Sequence, residues 1–375
     1  MAMLEPSQRS TWRNADPAML IITLLLVGFG VVTIFTASDH SISLADPAAK
    51  QALFAIIGLV AMTFLAALDY RFWRVLIAPV YLGALGLLVL VLQFGAVWGG
   101  AQRWFDLKVM SFQPSETAKL ATIVALAAFV SMRGVHMRGP FSFAATGLIA
   151  AVPAVLVFIE PDLGTALIFI AIWLGVAVVS RTRGLYLIGC AIAAVPVTLY
   201  FWNNVFHEYQ RDRLRIFLHP ERDDTGQGFN IIQAKITIGQ AGLVGHRFSE
   251  TAQINQYQRL VVSESDFAFA HAIGNFGFIG ALALFALYLL LIWRYLRVAH
   301  LARDEFGQLI AVGAAAMLFF QAFINIGMNV NILPPVGIPL PFISAGGVSL
   351  VTLLALQGIL QSVLMHRQRL AFGSG

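Results

Sequence analysis

Apolar residues in this chain run in blocks, not in alternation. Long apolar stretches lie near 18–37, 50–68, 73–93, 117–132, 142–159, 163–180, 184–203, 266–293, 308–330 and 343–364. Crossing about 30 Å of hydrocarbon takes roughly 20 such residues in a helix. Inside lipid every backbone N–H and C=O must be satisfied within the chain, so runs of this kind read as helices. The pattern predicts an all-α polytopic membrane protein with ten transmembrane helices. The first run follows Arg9 and Arg13 as a signal peptide would, but its length and the charge pattern favour a retained span. Between spans seven and eight, residues 204–265 are too long for a connector and too amphipathic for a disordered linker. There Ile231, Ile232, Ile236 and Ile238 are interspersed with Gln233, Lys235, Thr237 and Gln240. This predicts a short helix or re-entrant piece against the interface. Residues 1–372 read as one transmembrane domain, with Gly373-Ser374-Gly375 as a linker outside the fold.

Composition sharpens this picture. Of 375 residues, 59% are hydrophobic and 11% charged, against about 25% charged in ordinary soluble domains. A soluble enzyme is excluded. Cys190 is the single cysteine, so an internal disulfide framework and a multi-cysteine metal site are excluded too. The net charge of +5 is scattered and points to no nucleic acid. It sets orientation instead. With a cytoplasmic N-terminus and ten spans, 13 of the 24 basic residues fall in cytoplasmic segments: Arg9, Arg13, Arg71, Arg74, Arg133, Arg138, Arg181, Arg183, Arg294, Arg297, Arg303, Arg367 and Arg369. The short outer loops hold Lys50, Arg103 and Lys108. The positive-inside rule then puts both termini in the cytoplasm of a cell with this protein in its cytoplasmic (inner) membrane. Trp73, Trp98, Trp104, Trp202 and Trp293 fall near span ends as interfacial anchors. Carboxylates do the reverse, and 14 of 19 map to the outer side. Glu116, Glu160, Asp162 and Asp266 sit at or inside apolar runs, where ionisable groups are costly and mark function.

Four stretches could carry chemistry. In the first, 99–119, Pro114 and Ser115 start a helix, and Glu116 and Lys119 share one of its faces. The plain reading is a helix start with a local ion pair; the functional one is the polar wall of an intramembrane cavity. Arg103 suits a phosphate, which guanidinium binds bidentately. In the second, 160–165, Asp162 reads as a helix cap or, with Glu160, as part of a divalent-ion site. In the third, Asp266 stands where the long loop meets span eight, placed as an N-cap or as a base. In the fourth, 325–347, prolines and glycines break the helix at membrane depth, which survives only when buried in protein or lining a wet cavity. His207, His219, His246 and His271 lack metal-ligand spacing, and no zinc is expected.

At these stretches, GGAQRWFDLKVMSFQPSETAK, EPDLGT, SDFAFA and NIGMNVNILPPVGIPLPFISAGG, together with the loop 208–245, the sequence resembles the SEDS family (shape, elongation, division and sporulation), and within it the RodA branch. The likeness spans nearly the whole chain. It departs from the family pattern at Val261–Ser265, at Gly274-Asn275-Phe276 and at Ala345. The resemblance implies ten spans, polymerisation of lipid II into glycan strands in cell elongation, and a class B penicillin-binding protein as partner. It also puts the family's catalytic aspartate on Asp266 and its other important polar positions on Arg103, Gln113, Ser115, Glu116, Lys119 and Asp162.

The expected chemistry is glycosyl transfer on the outer face. Asp266 would take a proton from the acceptor sugar of lipid II as general base, and the polyprenyl diphosphate of the growing glycan would leave. Cationic groups should stabilise that leaving group: Arg103, Lys119, or an arginine of the 211–215 cluster in the loop, with Arg211 and Arg215 singled out. A divalent cation, Mg²⁺ or Mn²⁺, could assist; no organic cofactor is expected. Lys235 and Ser344 complete the substrate-binding candidates. A lipid-precursor flippase or transporter and a non-catalytic scaffold for a penicillin-binding protein are the rival readings.

Overall fold

The computed structural model describes residues 12–37, 46–98, 101–107, 111–206, 208–223, 226–245 and 265–367. Arg9, Asp39, Lys108, Asp224, Glu250, Glu264 and Arg369, with the departures at Val261–Glu264, lie outside the described residues.

Twelve α-helices are present among the described residues. They are α1 (Pro17–Ala37), α2 (Pro47–Ala67), α3 (Phe72–Phe94), α4 (Pro114–Arg133), α5 (Pro140–Ile159), α6 (Leu163–Val179), α7 (Gly184–Asn204), α8 (Glu208–Leu218), α9 (Gln227–Gln240), α10 (Ala268–Leu301), α11 (Glu305–Asn329) and α12 (Gly347–Met365). Nine of them are long and apolar enough to cross a membrane. A tenth apolar helix, α6, has 17 residues. The all-α polytopic class read from the apolar blocks is what the chain adopts.

The departures from the sequence reading have local causes. Prolines 17, 47, 114 and 140 occupy the first helical position, where a missing N–H is harmless and φ is already right. The helices therefore start one to three residues before the apolar runs do. Asp46 caps α2, its Oδ1 accepting from Ala48 N at 2.8 Å. The run ending near 293 continues as helix to Leu301; Arg294 and Arg297 end the apolar stretch, not the helix, so Trp293 lies inside α10 and not at its end. Residues 343–346 belong to the proline-broken segment, not to the last span, which begins at Gly347. A small antiparallel sheet was not foreseen: β1 (Ala96–Trp98), β2 (Ala101–Asp106) and β3 (Ser111–Phe112) in the order β1-β2-β3. Its strands are too short to show a period.

Most of α11 and α12 is buried, whereas no residue of α7 is. The core therefore runs along α10, α11 and α12, with Leu284, Phe306, Leu318, Leu354 and Leu360 fully enclosed. Small residues let helices approach closely, as in other membrane bundles. A Cβ on Gly358 would lie 2.4 Å from the Met62 carbonyl of α2.

Two irregular pieces shape one end of the bundle. The chain of α10 breaks at Gly277 (φ 67°, ψ −165°), about 14 Å in from its start at 1.5 Å per residue. The N–H groups freed there are taken up by the long loop. Phe278 N donates to Gly242 O at 2.9 Å and Ile279 N to Leu243 O at 3.1 Å. The loop thus provides a helix, α9, and a tucked-in turn. α9 buries Ile231, Ala234 and Thr237, a face at helical spacing, with Ile231 and Ala234 packed on Phe267 and Ala270. The second irregular piece, 330–346, is held from all sides. Asn325 Nδ2 donates to Ile338 O at 2.8 Å, Tyr288 OH to Pro341 O at 2.5 Å and Gln51 Nε2 to Ser344 O at 3.2 Å. Its backbone is buried in protein, as non-helical chain at this depth must be.

Candidate active site

Asp266 lies in the turn 265–267 that leads into α10. Three side chains grip that turn by its backbone. Asn325 Nδ2 and Asn329 Nδ2 of α11 both donate to Asp266 O, at 3.1 and 3.0 Å. Ser344 Oγ donates to Ser265 O at 2.5 Å and accepts from Leu340 N at 2.9 Å. Asn329 Oδ1 also accepts from Ala270 N, at 3.1 Å, in the first turn of α10. The carboxylate faces the broken segment: a Cβ on Gly337 would stand 3.6 Å from Asp266 Oδ2. It is turned into protein, not out to lipid.

Desolvation is the main influence on this carboxyl and pushes its pKa up to about 6. The Arg213 guanidinium opposes that rise, the Asp162 charge adds to it, and Arg103 opposes it again. One acid, one further carboxylate and two guanidiniums therefore share a field around Asp266.

The turn between α5 and α6 supplies the opposite wall. Asp162 caps α6, accepting from Thr165 N at 3.0 Å and Thr165 Oγ1 at 2.9 Å. Arg103, at the centre of β2, clasps the turn: its Nε donates to Glu160 O at 2.9 Å, its Nη2 to Pro161 O, and its Nη1 lies 3.7 Å from Asp162 Oδ2. The small sheet exists at the place where this arginine is needed. Gly164 brings the start of α6 against the broken segment, since a Cβ there would meet Val336 at 2.5 Å. Glu160 is 1% exposed, and neither carboxylate oxygen has a hydrogen-bond partner among the described residues. Burial first, and then the Asp162 charge, push its carboxyl up to about 8 against the pull of Arg103.

The other candidates are placed as follows. Glu116 and Lys119 form a buried ion pair at 2.8 Å in the first turns of α4. Ser115 is buried with its Oγ unpartnered, and Gln113 is the residue before α4, without a side-chain cap bond. Arg211 and Arg215 are not the arginines that act on Asp266. Arg211 reaches Trp202 O at 2.9 Å and Glu208 at 3.8 Å, while Arg215 pairs with Asp212 at 2.8 Å. Lys235 is on the exposed side of α9. Ser344 holds the turn's backbone, so its place is that of a positioning residue. Arg213 is the arginine of the 211–215 cluster whose charge reaches Asp266, where the sequence reading singled out its neighbours. The signal was available: Glu208, Arg211, Asp212 and Arg215 are matched at spacings of three and four, which leaves Arg213 facing elsewhere.

From Phe269 and Ile273 an apolar groove of about 610 Å³ runs between α10 and α11, lined also by Phe285, Tyr288, Ala322 and Phe323. Among the described residues no three His, Cys, Asp or Glu side chains converge to hold a metal.

Comparisons with known proteins agree with this architecture. A family model described as cell cycle protein, FtsW/RodA/SpoVE, matches residues 17–369. The peptidoglycan glycosyltransferase MrdB of Escherichia coli K12 is 38% identical over 373 residues, 98% of each chain. Among solved structures, a chain from work on the structural coordination of polymerization and crosslinking by a peptidoglycan synthase complex superposes with a TM-score of 0.79 at 29% identity. It covers 93% of this chain and 97% of that one. The rod shape determining protein RodA of Thermus thermophilus gives 0.69 at 27% identity, over 95% and 98%.

Proposed function

The chain belongs to the FtsW/RodA/SpoVE cell cycle protein family and is a multi-pass membrane peptidoglycan glycosyltransferase; we propose that it polymerises lipid II with Asp266 as general base. Asp266 takes the proton of the acceptor sugar hydroxyl. The freed oxygen attacks the anomeric carbon of the growing strand, and the bond from that carbon to the diphosphate breaks with its electron pair going to the leaving group. Arg213 and Arg103 stand on the side where that negative charge gathers. Lys119, held by Glu116, serves the wall behind them.

The observation that carries this reading is the carboxyl of Asp266, pushed up to about 6, in a turn gripped through its backbone by three side chains, two on Asp266 O and one on Ser265 O. A base near the operating pH, held rigidly, is what proton abstraction needs. The apolar groove beginning at Phe269 supports a lipid-linked substrate, whose tail can stay in the bilayer while its sugars reach the base. The residues present do not form a resident metal cage, and Asp162 already has Arg103. Mg²⁺ or Mn²⁺ is therefore proposed only as a counter-ion arriving on the diphosphate, and no step is drawn through it. The site faces outward, the termini lie in the cytoplasm, the strands serve cell elongation, and a class B penicillin-binding protein cross-links them.

The test is purified protein, with and without that partner, given labelled lipid II and Mg²⁺. Glycan ladders are expected from the wild type and none from Asp266→Asn or Asp266→Ala with an unchanged melting temperature. Full polymerisation by those variants would overturn the role of Asp266. Lipid movement without glycan would mark a flippase, and product formed only by the partner would mark a scaffold.

A further inference from the structure

The far end of the bundle carries a second polar site, about 40 Å from Asp266 along α10. A cavity of about 200 Å³ is lined there by Asp16, Arg294, Arg297, Leu301, Leu364 and Arg367. Three guanidiniums face one carboxylate, and that carboxylate is already engaged. Asp16 Oδ1 accepts from Arg294 Nη2 at 2.5 Å and from Met19 N at 3.1 Å. Its backbone is clamped by Gln361 of α12, which accepts from Asp16 N at 2.8 Å and donates to Asp16 O at 2.9 Å. The floor of the cavity is therefore built across α1, α10 and α12 and is fixed.

Its positive charge exceeds what this floor can neutralise. Arg294 Nε is buried with no hydrogen-bond partner among the described residues, a costly state for a charged donor. Among those residues neither Arg297 nor Arg367 has a carboxylate within salt-bridge distance, the one carboxylate of the cavity being paired to Arg294. The guanidiniums of Arg294 and Arg297 lie against the Trp293 ring, at 5.3 and 5.8 Å from its centroid, which orients both. Planar guanidiniums converging on one hollow match a phosphate, which they bind bidentately. Asn14, Ala15, Pro17, Leu301 and Leu364 complete the wall. Trp293, Leu296 and Leu289 of α10 are exposed along the adjoining lipid-facing side.

We propose that this cavity binds the headgroup phosphate of an acidic phospholipid in the leaflet opposite Asp266. Arginines placed only to orient the chain would need neither a closed floor nor a buried unpaired donor. Anionic lipid is the phosphate source with an apolar part to lie on Leu296 and Trp293, and juxtamembrane arginines attract it. The site is independent of the chemistry at Asp266.

The experiment is thermal unfolding of the full chain in detergent, titrated separately with dioleoylphosphatidylglycerol, dioleoylphosphatidylcholine and inorganic phosphate. Ligand that binds only the folded state raises the melting temperature with the logarithm of its concentration relative to its dissociation constant. Such a logarithmic rise is expected with the phosphatidylglycerol alone. In Arg297→Gln/Arg367→Gln the lipid concentration that gives the same rise should be about tenfold higher or more, with the lipid-free melting temperature unchanged. Arg297→Lys/Arg367→Lys should recover part of it. Equal responses to the two lipids, or a double variant that titrates as wild type, would overturn the proposal. Inorganic phosphate reproducing the whole rise would overturn its lipid part.

Discussion

A general base works best when its pKa lies near the pH at which it operates, and at the scale of single residues the environment of Asp266 sets that value. Polymerisation should fall on the acid side with a midpoint near pH 6, as protonation removes the base. Arg213 is the largest influence opposing the rise. Arg213→Gln should therefore move the acid limb to higher pH and slow turnover, whereas Arg213→Lys should keep the limb in place; a pH–rate profile of glycan synthesis reads both. Glu160 offers a stability test. Folded, it keeps its proton up to about pH 8, while unfolded it ionises near its ordinary value of 4.5. Its folded value is the higher one, so its contribution is complete at acid pH and is lost as pH rises toward 8. The melting temperature should decline over that window, and Glu160→Gln should flatten the decline. Of this site, Asp266, Asp162 and Arg103 were legible because charge inside an apolar run stands out. The 211–215 cluster was legible as well, but picking Arg213 out of it takes the helical spacing of its neighbours. At 100° per residue, Arg211 and Arg215 share a face while Arg213 points away from both.

At the scale of elements, the base depends on pieces that are not helices. Ser344→Ala leaves Ser265 O and Leu340 N without their partner, a loss of about 1–3 kcal/mol. Turnover should fall while KM for lipid II stays, since the turn is loosened and no substrate contact is removed. The break in α10 is equally specific. A Cβ at Gly277 would sit 2.4 Å from Gly245 N and 2.5 Å from Leu243 O, at a φ of +67°. A residue with a side chain in this essentially glycine-only conformation costs about 1–3 kcal/mol before any clash with backbone is counted. Gly277→Ala should therefore lower the melting temperature by several degrees or prevent folding, while Gly189→Ala in α7, with nothing within 4 Å, should not. Ten apolar blocks revealed ten helices because each is long enough to show its hydrophobicity without help. The small sheet, the α10 break and the grip of Asn325, Asn329 and Ser344 stayed hidden. The strands are short, the break is satisfied from a loop 36 positions back, and the grip comes from residues 59 to 79 positions away in the chain.

At the scale of the molecule, the groove between α10 and α11 ties the site to the bilayer. Ala322 lines it and is nearly buried. Ala322→Leu should raise KM for long-tailed lipid II and leave that for a short-tailed analogue unchanged, the latter serving as the control for folding. The spans were readable from hydropathy because the bilayer imposes one length on every span. Which helices sit at the centre was not, because α7 and α12 are apolar alike and only packing tells rim from core. One span breaks the common length. α6 has 17 residues, about 26 Å of helix against about 30 Å of oil, and it starts at the Arg103–Asp162 pair. Fatty tails cannot fill that missing turn beside a guanidinium, so water and sugar must. With Asp266 as the proposed base, the protein would carry its own dimple in the bilayer, and each new disaccharide would be joined below the waterline before the strand climbs out.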